Sequence, residues 1–146
     1  MAITPYLYYE DVDAALPFLQ KAFGLRPAGA PTRGSDGRIN HAAMKLGSAT
    51  VMMGRPPAGY RNPRHLGQAT QSLYVTVTGV DRHFARARDA GATILEVPGD
   101  TPYGHRRYGA TDPEGHEWYF AEEKTARRAA AKRAPKTAAR RRRTAR

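Results

Sequence analysis

The sequence predicts an α+β domain built from two copies of a strand–helix–strands unit, followed by a basic tail. Three observations carry this. The same order of patterned segments occurs twice along the chain. A single offset of 68 residues places Tyr6 on Tyr74, Val12-Asp13 on Val80-Asp81, Arg38 on Arg106 and Gly47 on Gly115, and a shared offset over separated landmarks is the signature of an internal repeat. The charge also divides in two. Of 24 Lys+Arg against 13 Asp+Glu, Lys124–Arg146 holds eleven basic residues and no acid, which leaves residues 1–123 with 13 of each sign.

In the first copy, Tyr6–Val12 is rich in Tyr and Leu and reads as a strand. Ala14, Ala15, Leu16, Phe18, Leu19, Ala22 and Phe23 then fall at helical intervals. Asp11 or Asp13 would cap this helix by accepting from free first-turn amides, Pro17 would sit in its first turn, and Gly24 would stop it. Gly29–Gly37 reads as a flexible stretch. Arg38–Leu46 and Ala49–Met53, parted by Gly47-Ser48, form a predicted hairpin.

The second copy predicts a strand at Leu73–Val77, a helix at Val80–Ala90 and a strand at Ala92–Val97. Arg107–Thr111 and Glu117–Ala121 flank the turn Asp112-Pro113-Glu114-Gly115. Each unit alone leaves a sheet face uncovered, so the two are expected to share one core and to curve around a cleft where a small ligand could bind. Between the copies, Gly54–Gln71 is rich in Pro and Gly and poor in aliphatic residues. It is a long loop, either a binding loop or a linker.

The chain has no cysteine, which excludes disulfides, thiolate metal sites and a cysteine nucleophile. It has no apolar run long enough for a membrane helix and no basic-then-apolar leader after Met1. The expectation is a cytoplasmic protein without a membrane partner.

Several segments together resemble a known family. They are Tyr8-Tyr9-Glu10-Asp11-Val12-Asp13-Ala14-Ala15 with Ala22-Phe23-Gly24, His41-Ala42-Ala43-Met44, Pro102-Tyr103-Gly104-His105-Arg106-Arg107, and Asp112-Pro113-Glu114-Gly115-His116-Glu117-Trp118. Over residues 3–122 they are similar to the vicinal oxygen chelate superfamily, in its glyoxalase/bleomycin-resistance-like branch. The resemblance implies paired βαβββ modules, about 3–55 and 71–122, forming a curved mixed sheet around a cleft, within a domain of residues 1–123 that is commonly a homodimer. Carried over by position, the family's metal ligands fall near Thr4, Val51, Ser72 and Tyr119. Val has no donor atom and neutral hydroxyls are poor ligands for divalent ions, so no metal or other cofactor is expected.

The binding branch of the family then becomes the expected function: a metal-independent protein that holds a drug or metabolite. Tyr6, Tyr8, Met52, Tyr103, Tyr108, Trp118 and Phe120 offer flat or adaptable surface, and Arg55, Arg106 and Arg107 offer donors. Strand parity divides these between two faces. With Tyr119 toward the cleft, Trp118 and Phe120 pack beneath the helices. The expected ligand-binding residues are Tyr6, Val51, Ser72, Tyr74, Tyr103, His105, Arg107 and Tyr119, with no catalytic residue assigned. Among the five histidines, His83 and His116 read as surface or boundary residues, and His41 and His105 as better candidates for the cleft wall. One alternative is a metal-free lyase or isomerase acting on a small carbonyl compound, with Tyr119, His41 or His105 as general acid or base. Another is nucleic-acid association through residues 124–146, a disordered basic tail in which eleven positive charges repel one another. A solubilising appendage is the plainer reading of that tail.

Overall fold

The computed structural model describes residues 1–125 together with Lys132 and Arg133. The expectations for the rest of the basic tail lie outside the described residues. The first module runs β1 (Tyr6–Tyr8), α1 (Val12–Phe18) continuing into a π-helical turn (Leu19–Phe23), β2 (Arg26–Pro27), β3 (Thr32–Arg33), β4 (Ile39–Leu46) and β5 (Ala49–Gly54). A short helix α2 (Pro63–Leu66) lies in the connection. The second module is β6 (Ser72–Thr76), α3 (Val80–Asp89), β7 (Thr93–Asp100), β8 (His105–Thr111) and β9 (Glu117–Glu123).

The modules form two mixed sheets of matching design. One has the order β1-β5-β4-β2, with β3 also on β4, and the other β6-β9-β8-β7. In each, the first strand lies parallel to the last and at the sheet's edge. This is the α+β arrangement of paired modules that the repeat predicts.

Local chemistry explains the elements. Asp11 caps α1, its carboxylate accepting from the Ala14 amide at 3.0 Å. Asp13 has a different task and accepts from the Ile39 amide at 2.9 Å and from Arg33 at 3.0 Å. Pro17 is the sixth residue of α1 rather than part of its first turn. Lacking an N–H, it cannot donate to the Asp13 carbonyl, and the chain widens into the π turn two residues later. Gly24 ends that turn at φ 78°, a conformation glycine adopts without steric cost. Gly47-Ser48 makes the two-residue hairpin turn, with Leu46 and Ala49 paired across it.

The loop between the modules is anchored at its middle. Asn62 is buried, caps α2 by accepting from His65, and donates to Glu10 at 2.9 Å and to Glu114 at 3.1 Å. The short strands β2 and β3, within or beside the stretch expected to be flexible, are held by pairing to β4.

A single core lies between the sheets and the helices. Leu19, Phe23, Met44, Met53, Val80, Tyr108, Trp118 and Phe120 are all fully buried, and Phe23 of the first module packs on Trp118 and Phe120 of the second at centroid distances of 5.4 and 4.9 Å. Each such side chain contributes about 1.5–3 kcal/mol of burial. His83 on α3 accepts from or donates to the Tyr108 hydroxyl at 2.6 Å and lies 2.9 Å from the Phe23 carbonyl, which can only accept. The proton is therefore on Nε2, and Nδ1 takes the Tyr108 proton.

The turn Asp112–His116 ties the modules together. The Asp112 carboxylate is buried and accepts from the Tyr9 hydroxyl at 2.6 Å, Trp118 Nε1 at 3.1 Å, and the amides of Glu114 and His116. Burial and the Asp112 charge push the Tyr9 phenol well above its ordinary pKa. Glu114 accepts from the Glu10 and Asp11 amides at 2.7 and 3.0 Å. His116, expected at the surface or boundary, is buried instead, and its Nε2 donates to the Tyr8 carbonyl at 2.8 Å. Glu122 is also buried and accepts from the Val80 amide. It thereby serves the start of α3, whose N-cap residue Gly79 has no side chain to do so.

Two outcomes follow. Asp112→Ala would strand a phenol, an indole N–H and two amides, and is expected to cost about 3 kcal/mol or more in urea unfolding. Burial holds the His83 imidazole below its ordinary pKa, so the unfolded chain binds the proton first. Stability should be complete above the unfolded value of about 6.5 and fall as pH drops through it. Thermal melts at stepped pH should show this slope, flattened in His83→Gln.

Candidate functional site

Strand parity leaves one face of each sheet turned away from the core. On the first sheet this face carries Tyr6, Tyr8, His41 and Met52, exposed or half-buried. The Tyr6 hydroxyl and His41 Nδ1 are 3.2 Å apart and the rings are stacked. Tyr60, from the connecting loop, packs edge-on against Tyr8 at 5.4 Å and donates to its carbonyl. Gly54 lies beneath the Tyr6 hydroxyl, where a Cβ would overlap it.

The matching face of the second sheet carries Ser72, Tyr74, Glu96, His105, Arg107, Glu117 and Tyr119. Arg107 is its organiser. Its Nε donates to Glu96 at 2.7 Å, its Nη1 donates to the Tyr103 hydroxyl at 3.1 Å, and its guanidinium lies 5.0 Å from the centre of the Tyr119 ring. Tyr119 can lie flat because Gly109 faces it across the ladder. A Cβ there would come within 2.7 Å of the ring. The Tyr74 hydroxyl bridges, 2.8 Å from His105 Nδ1 and 3.3 Å from the Tyr103 hydroxyl. Burial and the Tyr103 hydrogen bond push Tyr74 up to about 12, whereas the Tyr74 hydrogen bond, with Arg107 nearby, draws Tyr103 below the ordinary phenol value.

Five expected residues, Tyr74, Tyr103, His105, Arg107 and Tyr119, thus form one connected cluster. Ser72 is exposed at the start of β6 on the same sheet, and Tyr6 stands apart on the other sheet with His41. The structure corrects the parity expected for Val51. It lies largely buried in the core where it also borders the groove between β1 and β6, and Met52 is the residue opposite Tyr6, as Tyr119 is opposite Tyr74. The offset of 68 therefore holds for the first strands but becomes 67 between the last strands. Trp118 and Phe120 pack under the helices as parity predicts. Tyr108 is also core, and Arg106 turns to the opposite face, where it grips Asp81 with both Nε and Nη2.

The sequence reading does not single out Glu96 or Glu117, and it counts Tyr8 as flat surface without placing it among the binding residues. Tyr8 shares parity with Tyr6, and Glu96 interrupts the apolar run Ile94-Leu95-Glu96-Val97, so both left a signal. Between the edges of β1 and β6 runs an open groove of about 1000 Å³, bordered by Thr4, Tyr6, Thr50, Ser72 and Tyr74.

The positions carried over for metal ligands do not fit a divalent ion. They hold two hydroxyls, a phenol and a core valine; of the carboxylates near them, Glu117 is paired opposite Ser72, and Glu96, beside Tyr119, is taken by Arg107. Among the described residues, no three His, Cys, Asp or Glu side chains are grouped to hold a metal. Nor is any described helix long and apolar enough to cross a membrane.

Residues 3–120 match the model of the Glyoxalase/Bleomycin resistance protein/Dioxygenase superfamily. An uncharacterized protein of Mycobacterium bovis is 35% identical over 122 residues, covering 80% of each chain, and one from Mycobacterium tuberculosis H37Rv is equally similar over 71% of its own length. Among solved structures, TioX from Micromonospora sp. ML1 superposes with a TM-score of 0.70 at 33% identity, over 84% of this chain and 98% of that one. A glyoxalase/bleomycin resistance protein/dioxygenase family enzyme from Burkholderia phytofirmans shares the fold at TM-score 0.61 and 18% identity, over 82% of this chain and 96% of that one. With its two modules, its parallel first and last strands and this match over most of its length, the chain belongs to the Glyoxalase/Bleomycin resistance protein/Dioxygenase superfamily.

Proposed function

We propose that the protein is a metal-independent binder of a planar, aromatic small molecule, held against the open sheet faces of a homodimer. The observation that carries this is the unpartnered aromatic surface. Tyr6, Tyr8, Tyr74 and Tyr103 are each at least 40% exposed, although they stand on the ordered strands or rim of a well-packed domain. Large apolar groups left uncovered on a rigid sheet mark a surface meant for a partner. Tyr119 under Arg107, and Tyr6 beside His41, supply flat platforms with hydrogen-bond donors at their edges.

A second copy of the chain is the simplest opposite wall, since a single open face buries one side of a ligand and leaves the other in water. Arg107 is already paired with Glu96, so the site favours a neutral or weakly charged planar ligand over a strong anion.

Trp118 is fully buried against Phe23 and so is a poor fluorescence reporter of this surface. Calorimetry with metal-free bleomycin and a panel of planar aromatic compounds is the direct test. Saturable heat is expected, with affinity weakened about tenfold in Tyr119→Ala. Absence of heat across the panel would overturn the binding reading. Sedimentation equilibrium should give a dimer, and a monomer at tens of micromolar would remove the shared cleft.

A further inference from the structure

One end of the second sheet's open face is saturated by its own hydrogen bonds, and the other is not. Around Arg107, the side chains of Glu96, Tyr103, Tyr74 and His105 all find partners in one another or in the guanidinium. At the opposite end, strand register lines up Ser72, Glu117, Thr111 and Thr93 in a single row across β6, β9, β8 and β7. Side chains alternate between the faces along a strand, so this row shares the face of Tyr119, two positions after Glu117. Among the described residues, these four side chains take no hydrogen-bond or ion-pair partner.

Thr93, Thr111 and Glu117 line a cavity of about 580 Å³ whose other walls come from α2 and the turn after β8. Backbone contact fixes those walls. The Arg64 amide donates to the Glu114 carbonyl at 2.9 Å, and a Cβ on Gly115 would come within 2.7 Å of the same nitrogen. The Arg64 guanidinium stays on the exposed rim and reaches the Pro113 carbonyl at 3.5 Å. Asp112 also borders the cavity, but its carboxylate is filled by Tyr9, Trp118 and two amides. Glu117 is therefore the free negative charge of this cavity, and it is half-buried. A carboxylate held partly out of water without a partner carries a desolvation cost that a bound cationic donor offsets.

We propose that Glu117, with Ser72 and Thr111 on either side, is a subsite for a primary ammonium group, and that the ligand of this face is an arylalkylamine whose ring rests on Tyr119. The proposal rests on the binding reading above for the aromatic platform and adds the charge and the donor pattern of the ligand. A primary ammonium has three N–H donors and no acceptor, whereas a carboxylate only accepts and a hydroxyl can accept. Neighbouring strands lie about 4.8 Å apart, so one nitrogen above the carboxylate can also reach the hydroxyls that flank it. A quaternary ammonium brings the same charge and no N–H. Along β9, Glu117 and Tyr119 are about 7 Å apart, which a link of two or three carbons between ring and nitrogen spans. Arg107 lies on the other side of Tyr119, opposite Ala121, and its charge is paired with Glu96. The face thus has a cationic end and an anionic end, which turns the amine of the ligand toward Glu117.

Calorimetry on the full chain at neutral pH tests this with three compounds of one shape: naphthylethylamine, its trimethylammonium derivative and naphthylethanol. The amine should bind about tenfold more tightly than either of the others. Glu117→Gln should bring the amine to the affinity of the alcohol, and Thr111→Val should remove part of the preference. Butylamine, which has no ring, should bind about tenfold more weakly than naphthylethylamine. Should the glutamine variant fold poorly, the trimethylammonium comparison on the wild-type protein carries the test alone. Equal affinity for amine and alcohol, or a preference that survives Glu117→Gln, would overturn the subsite and leave the aromatic platform standing. Equal affinity for amine and trimethylammonium would overturn the hydrogen-bonded assignment. Butylamine binding as tightly as naphthylethylamine would overturn the placement of the ring on Tyr119. No heat from any of the naphthyl compounds would count against both readings.

Discussion

The buried carboxylate of Asp112 is the constraint on which the two-module arrangement depends. A charge removed from water is tolerated only when its oxygens are saturated, and here the acceptors are filled from both halves of the molecule. Tyr9 arrives from the strand–helix junction of the first module, Trp118 from β9, and two amides from the turn itself. Around it, Glu114 and His116 bond the backbone of residues 8–11, and Asn62 closes the connection. The last hairpin of the second module thereby fixes where the first helix begins. Once that angle is set, Phe23 is delivered onto Trp118 and Phe120 and the core becomes common to both modules.

The open faces are a consequence of that shared core. Both sheets spend one face on the helices, so period-two alternation sends Tyr6, Met52, Tyr74 and Tyr119 to the other. Two glycines let the rings settle on the sheets: Gly54 under the Tyr6 hydroxyl and Gly109 under Tyr119. At these positions the missing side chain shapes the surface as much as the aromatic does.

Much of this was legible in the sequence. The repeat, both long helices, the Gly47-Ser48 hairpin and the division of β9 into core and open residues follow from periodicity and turn chemistry. Val51 was not, because pairing register is set by three-dimensional contact and a slip of one residue exchanges the faces. The turn after β8 spans five residues and that after β4 only two, so aligning Gly47 with Gly115 concealed the change. The role of His116 was equally hidden, since its bond to the Tyr8 carbonyl spans 108 positions along the chain. Pro17 shows a local rule yielding to tertiary packing: the helix keeps a proline in its second turn because Leu19, Ala22 and Phe23 beyond it are all buried. Of the site, the individual residues were readable, but their joining through Arg107 required the partner Glu96 from a different strand.

The two faces descend from the same pattern yet have diverged. Where the register places His41 and Met52 on one sheet, it places Arg107 and Tyr119 on the other. Identical faces would offer the same chemistry twice. These offer a thioether and an imidazole beside a phenol on the first sheet, and a guanidinium lying over a phenol ring on the second. The repeat of the backbone is thus not a repeat of surface chemistry, and the molecule has two dissimilar sides built on one pattern.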